Sequence, residues 1–267
     1  MPSTPTVLAA QGYTVRNFGK TPADVAATCH KIKAIGYDAV QVSGWCQMDA
    51  KELAKVLANE GLICCATHLD YARLLKEPEK IAEEHHILGC QHTAPGAMPG
   101  VFGGPSVEYP QSAEGYARVA REMSEVGRKF ATLGLTLSYH NHRFEFEKFP
   151  AVGGRRGIDI LMEDSDAKVV NFELDTFWVQ AGGADPVAYI KKCSGRVPLL
   201  HLKDLTIRKD QQIMAEIGEG NLNWPGILAA AKAAGTQWYI VEQDHCERDP
   251  FESLAISLKN LKSWGLK

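Results

Sequence analysis

The sequence lacks several features that would assign a protein to a class at once. No run of about 20 apolar residues occurs among its 267 residues, so no transmembrane helix is expected. The first ten residues carry no basic stretch ahead of an apolar one, so they are not expected to be a signal peptide. No long block of like charge occurs, and the formal net charge is −3. Because nucleic-acid-binding surfaces usually carry a basic patch or stripe, neither a nucleic-acid nor a membrane partner is expected.

A regular cysteine framework is also missing. The seven cysteines are an odd number without the spacing of a disulfide scaffold. Cys64 and Cys65 are adjacent in an apolar run, and Cys29, Cys90 and Cys193 lie in helix-like or strand-like segments. A free cysteine commonly packs as a small hydrophobic residue, and thiols stay reduced in the cytoplasm. We therefore interpret these cysteines as structural and expect a cytoplasmic location.

The overall composition is that of an ordinary globular chain, with 45% hydrophobic and 23% charged residues. A length of 267 residues is close to the roughly 250 of a single (β/α)8 barrel, although it would also permit two domains. A chain of this length can bury enough apolar surface to form a stable hydrophobic core.

Strand-like apolar runs alternate with helix-like segments along the whole chain. Thr21 followed by Pro22 is typical of a helix N-terminus, and Gly61 and Gly89 are placed to end two later helices. Eight strand–helix pairs, without a G-x-G-x-x-G motif after the first strand, favour a closed parallel barrel over an open dinucleotide-binding sheet. The sequence therefore predicts an α/β fold, a single (β/α)8 TIM barrel domain over residues 1–267. The predicted strands cover residues 7–11, 38–42, 62–67, 90–94, 135–139, 169–174, 197–202 and 238–242, and the predicted helices 22–36, 50–60, 79–88, 112–133, 158–163, 186–193, 224–234 and 250–264.

Two long segments are predicted to be irregular. The segment from Pro95 to Pro110 is punctuated throughout by glycine and proline, which prevents regular structure. It follows the fourth strand, so we expect it to be a mobile cover for the barrel mouth. The segment from Asp204 to Asn223 is expected to be a polar loop.

Ionisable residues follow four consecutive strands in the second half of the chain. In a β/α barrel the C-terminal strand ends carry the chemistry, and neighbouring strand ends share one mouth. Glu145, Asp175, His201 and Glu242 could therefore converge on one divalent cation. A site of mostly carboxylate oxygens with one imidazole suits Mn²⁺, Mg²⁺, Co²⁺ or Zn²⁺, and Mn²⁺ is the preferred assignment.

Simpler interpretations exist for individual members of this set. A single Asp or His at a strand end is more often structural, and Glu242 could form a rim salt bridge with Lys203 or Arg208. Four such residues at four consecutive strand ends favour the metal site. Trp45 and His68, after the second and third strands, are expected to be walls of the substrate pocket.

The fourth ligand position is open between three residues. Glu145 lies a few residues beyond the fifth strand, so His140 or His142 could bind the metal instead. His85 and His86 end a helix and are expected at the surface.

Six motifs spread along the chain carry a family resemblance. With these motifs the chain resembles the xylose isomerase-like barrel family of sugar (phosphate) isomerases and epimerases, over essentially its whole length. The resemblance implies a small-molecule sugar substrate and a metal held by two Glu, one Asp and one His or Gln, which matches Glu242, Asp175 and His201. The motifs are Q-G-Y-T-V-R (11–16), Y-H-N-H-R-F-E-F (139–146), E-L-D-T-F-W (173–178), V-P-L-L-H-L-K-D (197–204), G-E-G-N-L-N-W (218–224) and V-E-Q-D (241–244).

The chain departs from this pattern at two positions. Many epimerases of the family have a ligand Glu where this chain has Tyr139, so that only Glu145 remains in this segment. Many also have a His where this chain has Trp178. These changes argue against the usual two-base epimerisation and resemble a subgroup that acts on keto-sugars or their glycosides, some members of which perform eliminations.

The chemistry implied by the resemblance is proton abstraction next to a carbonyl, through an enediolate that the metal stabilises. The candidates for proton transfer are Glu145, Glu242 and His142. The residues expected to bind the substrate, with Lys203 and Arg208 orienting sugar hydroxyls or a phosphate, are Trp45, His68, His140, Trp178, Lys203 and Arg208.

Three other functions are compatible with a barrel of this kind. A metal-dependent lyase or hydrolase could eliminate at a 3-keto-glycoside. An endonuclease IV-like phosphodiesterase would need about three metals and a basic DNA track, and the net charge of −3 argues against it. A non-catalytic sugar-binding subunit could keep the metal for structure, with a closed coordination shell. Association into a homo-oligomer is compatible with all of these.

Overall fold

A computed structural model describes residues 7–101 and 111–266. Within these ranges eight parallel strands close into a barrel, which confirms the predicted (β/α)8 TIM barrel. The barrel order is β1-β2-β3-β4-β5-β8-β9-β12, and β12 pairs with β1 to close it. The strands are β1 (Val7–Gln11), β2 (Ala39–Val42), β3 (Ile63–Leu69), β4 (His92–Pro95), β5 (Thr136–His140), β6 (Lys148–Phe149), β7 (Arg155–Arg156), β8 (Val170–Asp175), β9 (Leu199–Leu202), β10 (Asp204–Arg208), β11 (Gln211–Ala215) and β12 (Trp238–Val241).

The helices follow the capping residues that the sequence provides. At the start of the first helix, the Thr21 hydroxyl accepts a hydrogen bond from the Asp24 N–H, and the Asp24 carboxylate accepts one from the Thr21 N–H. Gly36, with φ of 111°, ends this helix in a left-handed conformation. The helices are α1 (Pro22–Ile35), α2 (Ala50–Glu60), α3 (Tyr71–Lys76), α4 (Pro78–Leu88), α5 (Ala113–Thr132), α6 (Gly157–Asp164), α7 (Thr176–Ala181), α8 (Pro186–Lys192), α9 (Trp224–Ala234) and α10 (Pro250–Ser263).

Local structure differs from the sequence prediction in two places, and a third expectation falls largely outside the described residues. The six-residue helices α3 and α7 were not predicted, because they are too short to show a helical period. The expected polar loop over 204–223 is wrong for its first half, where β10 and β11 pair as an antiparallel hairpin. Of the expected cover from Pro95 to Pro110, residues 102–110 lie outside the described part of the chain.

The interior of the barrel is filled in layers, because every second residue of a strand points inward. Small and aliphatic side chains fill the lower interior, namely Ala9, Ala39, Cys65, Ala66, Leu199 and Ile240. The next inward residue along three of these strands is polar: Gln11 after Ala9, His201 after Leu199, and Glu242 after Ile240. The strand register therefore places a polar layer directly above a small apolar one.

A larger apolar cluster packs between the strands and the surrounding helices. All seven cysteines are free thiols, and five of them are buried, as the structural interpretation requires. His85, expected at the surface, is buried and bonds Thr67 at 2.9 Å, while His86 is exposed as expected. The helices in the described part of the chain are all too short or too polar to span a lipid bilayer.

Candidate metal centre

A cavity of about 1140 Å³ opens at the C-terminal ends of the barrel strands. On one side it is lined by helix α3 and by residues 96–100. At its base lie His68, His140, His142 and Glu242, with Trp178 beside them. This is the end of the barrel at which the sequence predicted the site.

Two overlapping groups of side chains at this base have the composition of a metal site. The first contains His68 and Glu173, the second Asp175 and Glu242, and both share His140 and His201. Within each group, the potential ligand atoms all lie within 4.8 Å of one another. Three of the four predicted ligands therefore meet in the second group, whose fourth member is His140 and not Glu145.

Glu173 was not predicted as a site residue, although its position in β8 explains it. Along Val170–Asp175, Phe172 and Leu174 pack in the apolar cluster outside the barrel, so Glu173 and Asp175 both point inward. The alternation of the strand was the signal that would have identified Glu173. Its carboxylate lies 2.5 Å from Nε2 of His68 and 3.3 Å from Nε2 of His201.

Lys203 is the central cation of the site. Its Nζ lies 2.9 Å from Oδ2 of Asp175, 2.7 Å from Oε2 of Glu242 and 2.6 Å from Oδ2 of Asp244. Burial alone would lower the pKa of Lys203, but the three carboxylates outweigh it and hold the pKa well above its ordinary value. The ammonium is therefore charged, although the side chain is fully buried.

The carboxylates respond to this cation and to His201. Burial opposes ionisation of Glu242, but Lys203 and His201 outweigh it and hold the pKa of Glu242 well below its ordinary value. For Asp175 burial dominates, and it raises the pKa to about 6 despite the proximity of Lys203. Burial lowers the pKa of His201, yet Glu173 and Glu242 outweigh it and raise that pKa to about 10.

Two further imidazoles of the site, those of His140 and His142, are held neutral. Burial is the main cause that lowers the pKa of His140 well below its ordinary value, and His201 and His142 add to it. Burial and the charge of Lys203 lower the pKa of His142 to about 3. A neutral imidazole is the form that binds a metal, and Nδ1 of His140 has no hydrogen-bond partner among the described residues. A buried nitrogen without a hydrogen-bond partner, 3.8 Å from the Glu173 carboxylate, fits a divalent cation.

Glu145 is fully buried behind the cavity wall and belongs to neither group. One carboxylate oxygen accepts a hydrogen bond of 2.9 Å from the Tyr139 hydroxyl, and the other accepts one of 2.8 Å from the backbone N–H of His142. Burial raises the pKa of Glu145 to about 8, although both hydrogen bonds lower it. Glu145 thus holds the segment that carries His142 and does not line the cavity.

The predicted substrate-binding residues divide into two sets. His68, His140 and Trp178 line the cavity, and Lys203 lies 5.3 Å from the ring centre of Trp178. Trp45 instead covers the loop after β1, where its indole Nε1–H donates to the carbonyl of Gly12 at 3.1 Å. Arg208 is exposed on the β10–β11 hairpin and forms an ion pair with Glu247.

The barrel, its register and the buried imidazole–carboxylate cluster define the class. The chain belongs to the xylose isomerase-like TIM barrel family, whose sequence profile matches residues 29–264. The cluster is consistent with the divalent-metal site of that family.

Three individual proteins to which the chain is similar are between 17% and 27% identical to it over the aligned residues. An inosose dehydratase of Geobacillus thermodenitrificans is 27% identical over 148 residues, which are 49% of this chain and 48% of that protein. The chain thus spans about half the length of this curated relative. A sugar phosphate isomerase/epimerase from Parabacteroides distasonis superposes with a TM-score of 0.78 at 21% identity, over 97% of this chain and 99% of that one. The 3-keto-D-glucoside 4-epimerase of E. coli gives a TM-score of 0.69 at 17% identity, over 97% and 99% of the two chains.

Proposed function

We propose that this protein is a divalent-metal-dependent enzyme that moves a proton next to the carbonyl group of a keto-sugar, as sugar isomerases and epimerases do. The observation that carries this proposal is the group His140, Asp175, His201 and Glu242 at the base of a cavity wide enough for a sugar. The family to which the chain belongs supports it.

We propose these four residues as the metal ligands, so that His140 replaces the Glu145 predicted from the sequence. Two carboxylates and two imidazoles suit Mn²⁺, our preferred ion, and equally Co²⁺ or Zn²⁺, with Mg²⁺ less well matched to two nitrogens. A divalent ion bound there would supply stabilisation for the negative charge that develops on the substrate oxygen.

Glu242 and His142 are the proposed proton-transfer groups, because both line the cavity. Glu242 is ionised beside Lys203, and His142 is neutral, so each can accept a proton from a carbon next to the carbonyl. The charge of the resulting enediolate would be offset by the Lys203 ammonium, which is already in place and needs no reorganisation.

Trp178 and His68 are the proposed contacts to the sugar. The indole Nε1–H of Trp178 is buried and has no hydrogen-bond partner within residues 7–101 and 111–266. A buried donor without a partner is costly, so a sugar hydroxyl that accepts from it would be favoured. Nε2 of His68 is paired with Glu173, which leaves its Nδ1 side toward Ser43 and the cavity.

Elimination of water is the second candidate reaction. Epimerisation by two bases needs one base on each face of the substrate, and Glu145 is turned away from the cavity. Elimination needs a base on one face only: Glu242, beside the Lys203 ammonium, takes the proton next to the carbonyl. Hydroxide then leaves from the neighbouring carbon and takes up the proton that Glu242 accepted, which forms water and returns Glu242 to its ionised form. The inosose dehydratases among the relatives support this candidate.

Turnover in D₂O distinguishes the two reactions. The purified enzyme with Mn²⁺ would be offered keto-sugars, 3-keto-glycosides and an inosose, with the products followed by NMR and an EDTA-treated sample as control. Isomerisation or epimerisation gives an isomer of the substrate with deuterium at the reacting carbon, whereas elimination gives a product that has lost one water, a conjugated hydroxy-enone or its diketone tautomer. A fully metal-loaded protein that leaves every one of these substrates unchanged, without deuterium exchange, would contradict the proposal.

The remaining alternatives have less support. The two groups share His140 and His201, so within the described residues they provide for one ion and not for the three of an endonuclease IV-like site. A non-catalytic sugar-binding subunit would bind the same sugars but would exchange no deuterium.

A further inference from the structure

A chain of buried hydrogen bonds runs beside the second group of the candidate metal centre, through the amides of Gln11 in β1 and Gln41 in β2 to the carboxylate of Glu173 in β8. The backbone N–H of Tyr13 donates to Oε1 of Gln11 at 3.2 Å, and Nε2 of Gln11 donates to Oε1 of Gln41 at 2.9 Å. Nε2 of Gln41 then donates to Oε1 of Glu173 at 2.8 Å. Gln11, Gln41 and Glu173 are all fully buried.

The ends of this chain fix its direction. A backbone N–H can only donate, so the Gln11 oxygen must face Tyr13 and the Gln11 amide nitrogen must face Gln41. The Gln41 atom that accepts the hydrogen bond from this nitrogen must therefore be the amide oxygen. The amide nitrogen of Gln41 then points to Glu173, whose carboxylate oxygen accepts it.

The direction of these hydrogen bonds determines the protonation of one ring nitrogen of His201, Nε2. Nε2 of His201 lies 2.7 Å from the same Gln41 oxygen, so Nε2 must carry a hydrogen. The other nitrogen, Nδ1, lies 3.0 Å from Oε2 of Glu242 and 3.9 Å from Oδ2 of Asp175. Only Nδ1 is then left to bind a metal, and it faces the group that contains Asp175 and Glu242.

We propose that Gln41 is a positioning residue that holds His201 with Nε2 protonated and Nδ1 directed to the metal. The metal is thereby assigned to the group His140, Asp175, His201 and Glu242. In the alternative group, Nε2 of His201 faces Glu173 at 3.3 Å, and a cation there would have to displace the hydrogen bond to Gln41. This inference rests on the proposed metal dependence but not on which reaction is catalysed.

The two assignments predict opposite effects of removing Gln41. Partners that orient a metal-binding imidazole typically contribute 10–100-fold to metal affinity. If Gln41 holds His201 for the metal, Gln41→Leu should weaken Zn²⁺ binding by about 10–100-fold, measured against a competing chelator. If the metal binds Nε2 of His201, the same change removes a competitor, and affinity should stay or rise.

Two further variants separate positioning from a general packing defect. Gln41→Glu keeps an oxygen for the Nε2–H of His201, and a proton shared with Glu173 can replace the lost amide hydrogen, so Zn²⁺ affinity should fall less than in Gln41→Leu. Thr236→Val removes another buried hydrogen bond, from Thr236 Oγ1 to the Val197 carbonyl at 2.8 Å, and should leave Zn²⁺ affinity unchanged. Loss of affinity in Gln41→Glu equal to that in Gln41→Leu would contradict the proposal.

NMR of ¹⁵N-histidine-labelled, zinc-loaded wild-type protein decides the point even if Gln41→Leu does not fold. We expect His201 to show zinc on Nδ1 and a slowly exchanging Nε2–H. Zinc on Nε2 of His201, or undiminished affinity in a folded Gln41→Leu variant, would overturn the assignment. A wild-type protein that binds no Zn²⁺ would overturn both this inference and the proposed function. Zinc on Nδ1 without turnover would overturn only the proposed function.

Discussion

The indole nitrogen of Trp224 donates a hydrogen bond of 2.5 Å to the buried carboxylate of Asp204. Asp204 begins β10 directly after the strand that carries His201, and Trp224 begins α9, so this bond closes the intervening segment onto the barrel. The carboxylate is the common acceptor for that whole segment. It also accepts from the backbone N–H groups of Leu205, Gly218, Gly220 and Leu222.

We expect Asp204→Asn to lower the free energy of unfolding by about 2–4 kcal/mol, because an amide cannot accept at every one of these positions and hydrogen bonds to a charged group are the stronger kind. Urea denaturation followed by circular dichroism measures the change. Asp210→Asn, at the exposed turn of the same hairpin, is the matched control and should change stability little. A loss in Asp204→Asn no larger than in the control would contradict the role given to Asp204.

Lys203→Met should destabilise the metal-free protein by about 3–5 kcal/mol, because it leaves the buried Asp175 and Glu242 and the half-buried Asp244 without their cation. Mn²⁺ should raise the Tm of this variant more than that of the wild type, since the ion replaces the lost charge. Thermal denaturation with Mn²⁺ and with EDTA tests both points. Lys232→Met, exposed on α9, serves as control. Equal responses of the wild type and the Lys203 variant to Mn²⁺ would show that Lys203 and the metal do not share these carboxylates.

The metal content of substituted variants tests whether Asp175 and His201, but not Glu145, bind the metal. Asp175→Ala and His201→Ala should lose the bound metal and turnover while the barrel stays folded, as measured by elemental analysis and circular dichroism. Glu145→Gln should keep the metal, because the structure places this carboxylate against Tyr139 and the His142 N–H. His30→Ala, at an exposed position, is the control for histidine removal. Metal loss in Glu145→Gln would restore the ligand role that the sequence predicted for it.

The free energy of unfolding should decrease as pH rises because of Glu145. The folded protein holds the Glu145 proton up to the raised pKa of about 8, whereas the unfolded chain releases it near the ordinary value of 4.5. Between these values the unfolded state binds fewer protons, so the free energy of unfolding contributed by this group decreases as pH rises and levels off above pH 8.

Glu145→Gln removes this titration and so provides the test. The difference in free energy of unfolding between wild type and Glu145→Gln should shift against the wild type from about pH 4.5 to about pH 8. Glu147→Gln, two residues along and exposed, should show no such trend. A difference that is constant with pH would show that Glu145 titrates normally.

The barrel was predictable from sequence because its signal is repeated eight times. Each apolar strand followed by a helix supports the same architecture, so an error of a few residues at one boundary does not alter it. The β10–β11 hairpin gives no repeated signal. Its turn residues, Lys209 and Asp210, have φ of 48° and 65°, and neither is the glycine or asparagine that usually marks such a turn.

The members of the cluster were predictable where a residue lies within one position of the end of a barrel strand, and not where it lies farther away. Asp175, His201 and Glu242 are fixed by the strand register, and the structure brings them together. Glu145 lies on a 3-10 turn beyond β5, and no register determines which way its side chain points. Glu173 lies within a strand, where a charged residue is easily overlooked if attention is limited to strand ends.

Two arginines connect neighbouring loops at the C-terminal end of the barrel, one by an ion pair and the other by a hydrogen bond. Arg208, on the hairpin after β9, pairs with Glu247 in the segment after β12, and Arg16, after β1, donates to the Asp244 carbonyl in that same segment at 2.9 Å. This half of the rim, from β9 through β12 to β1, is therefore tied across its gaps. If the proposed sugar binds in the cavity, we expect it to enter on the opposite side, past α3 and residues 96–100, so that substitutions in the β10–β11 hairpin leave its rate of exchange with solvent unchanged.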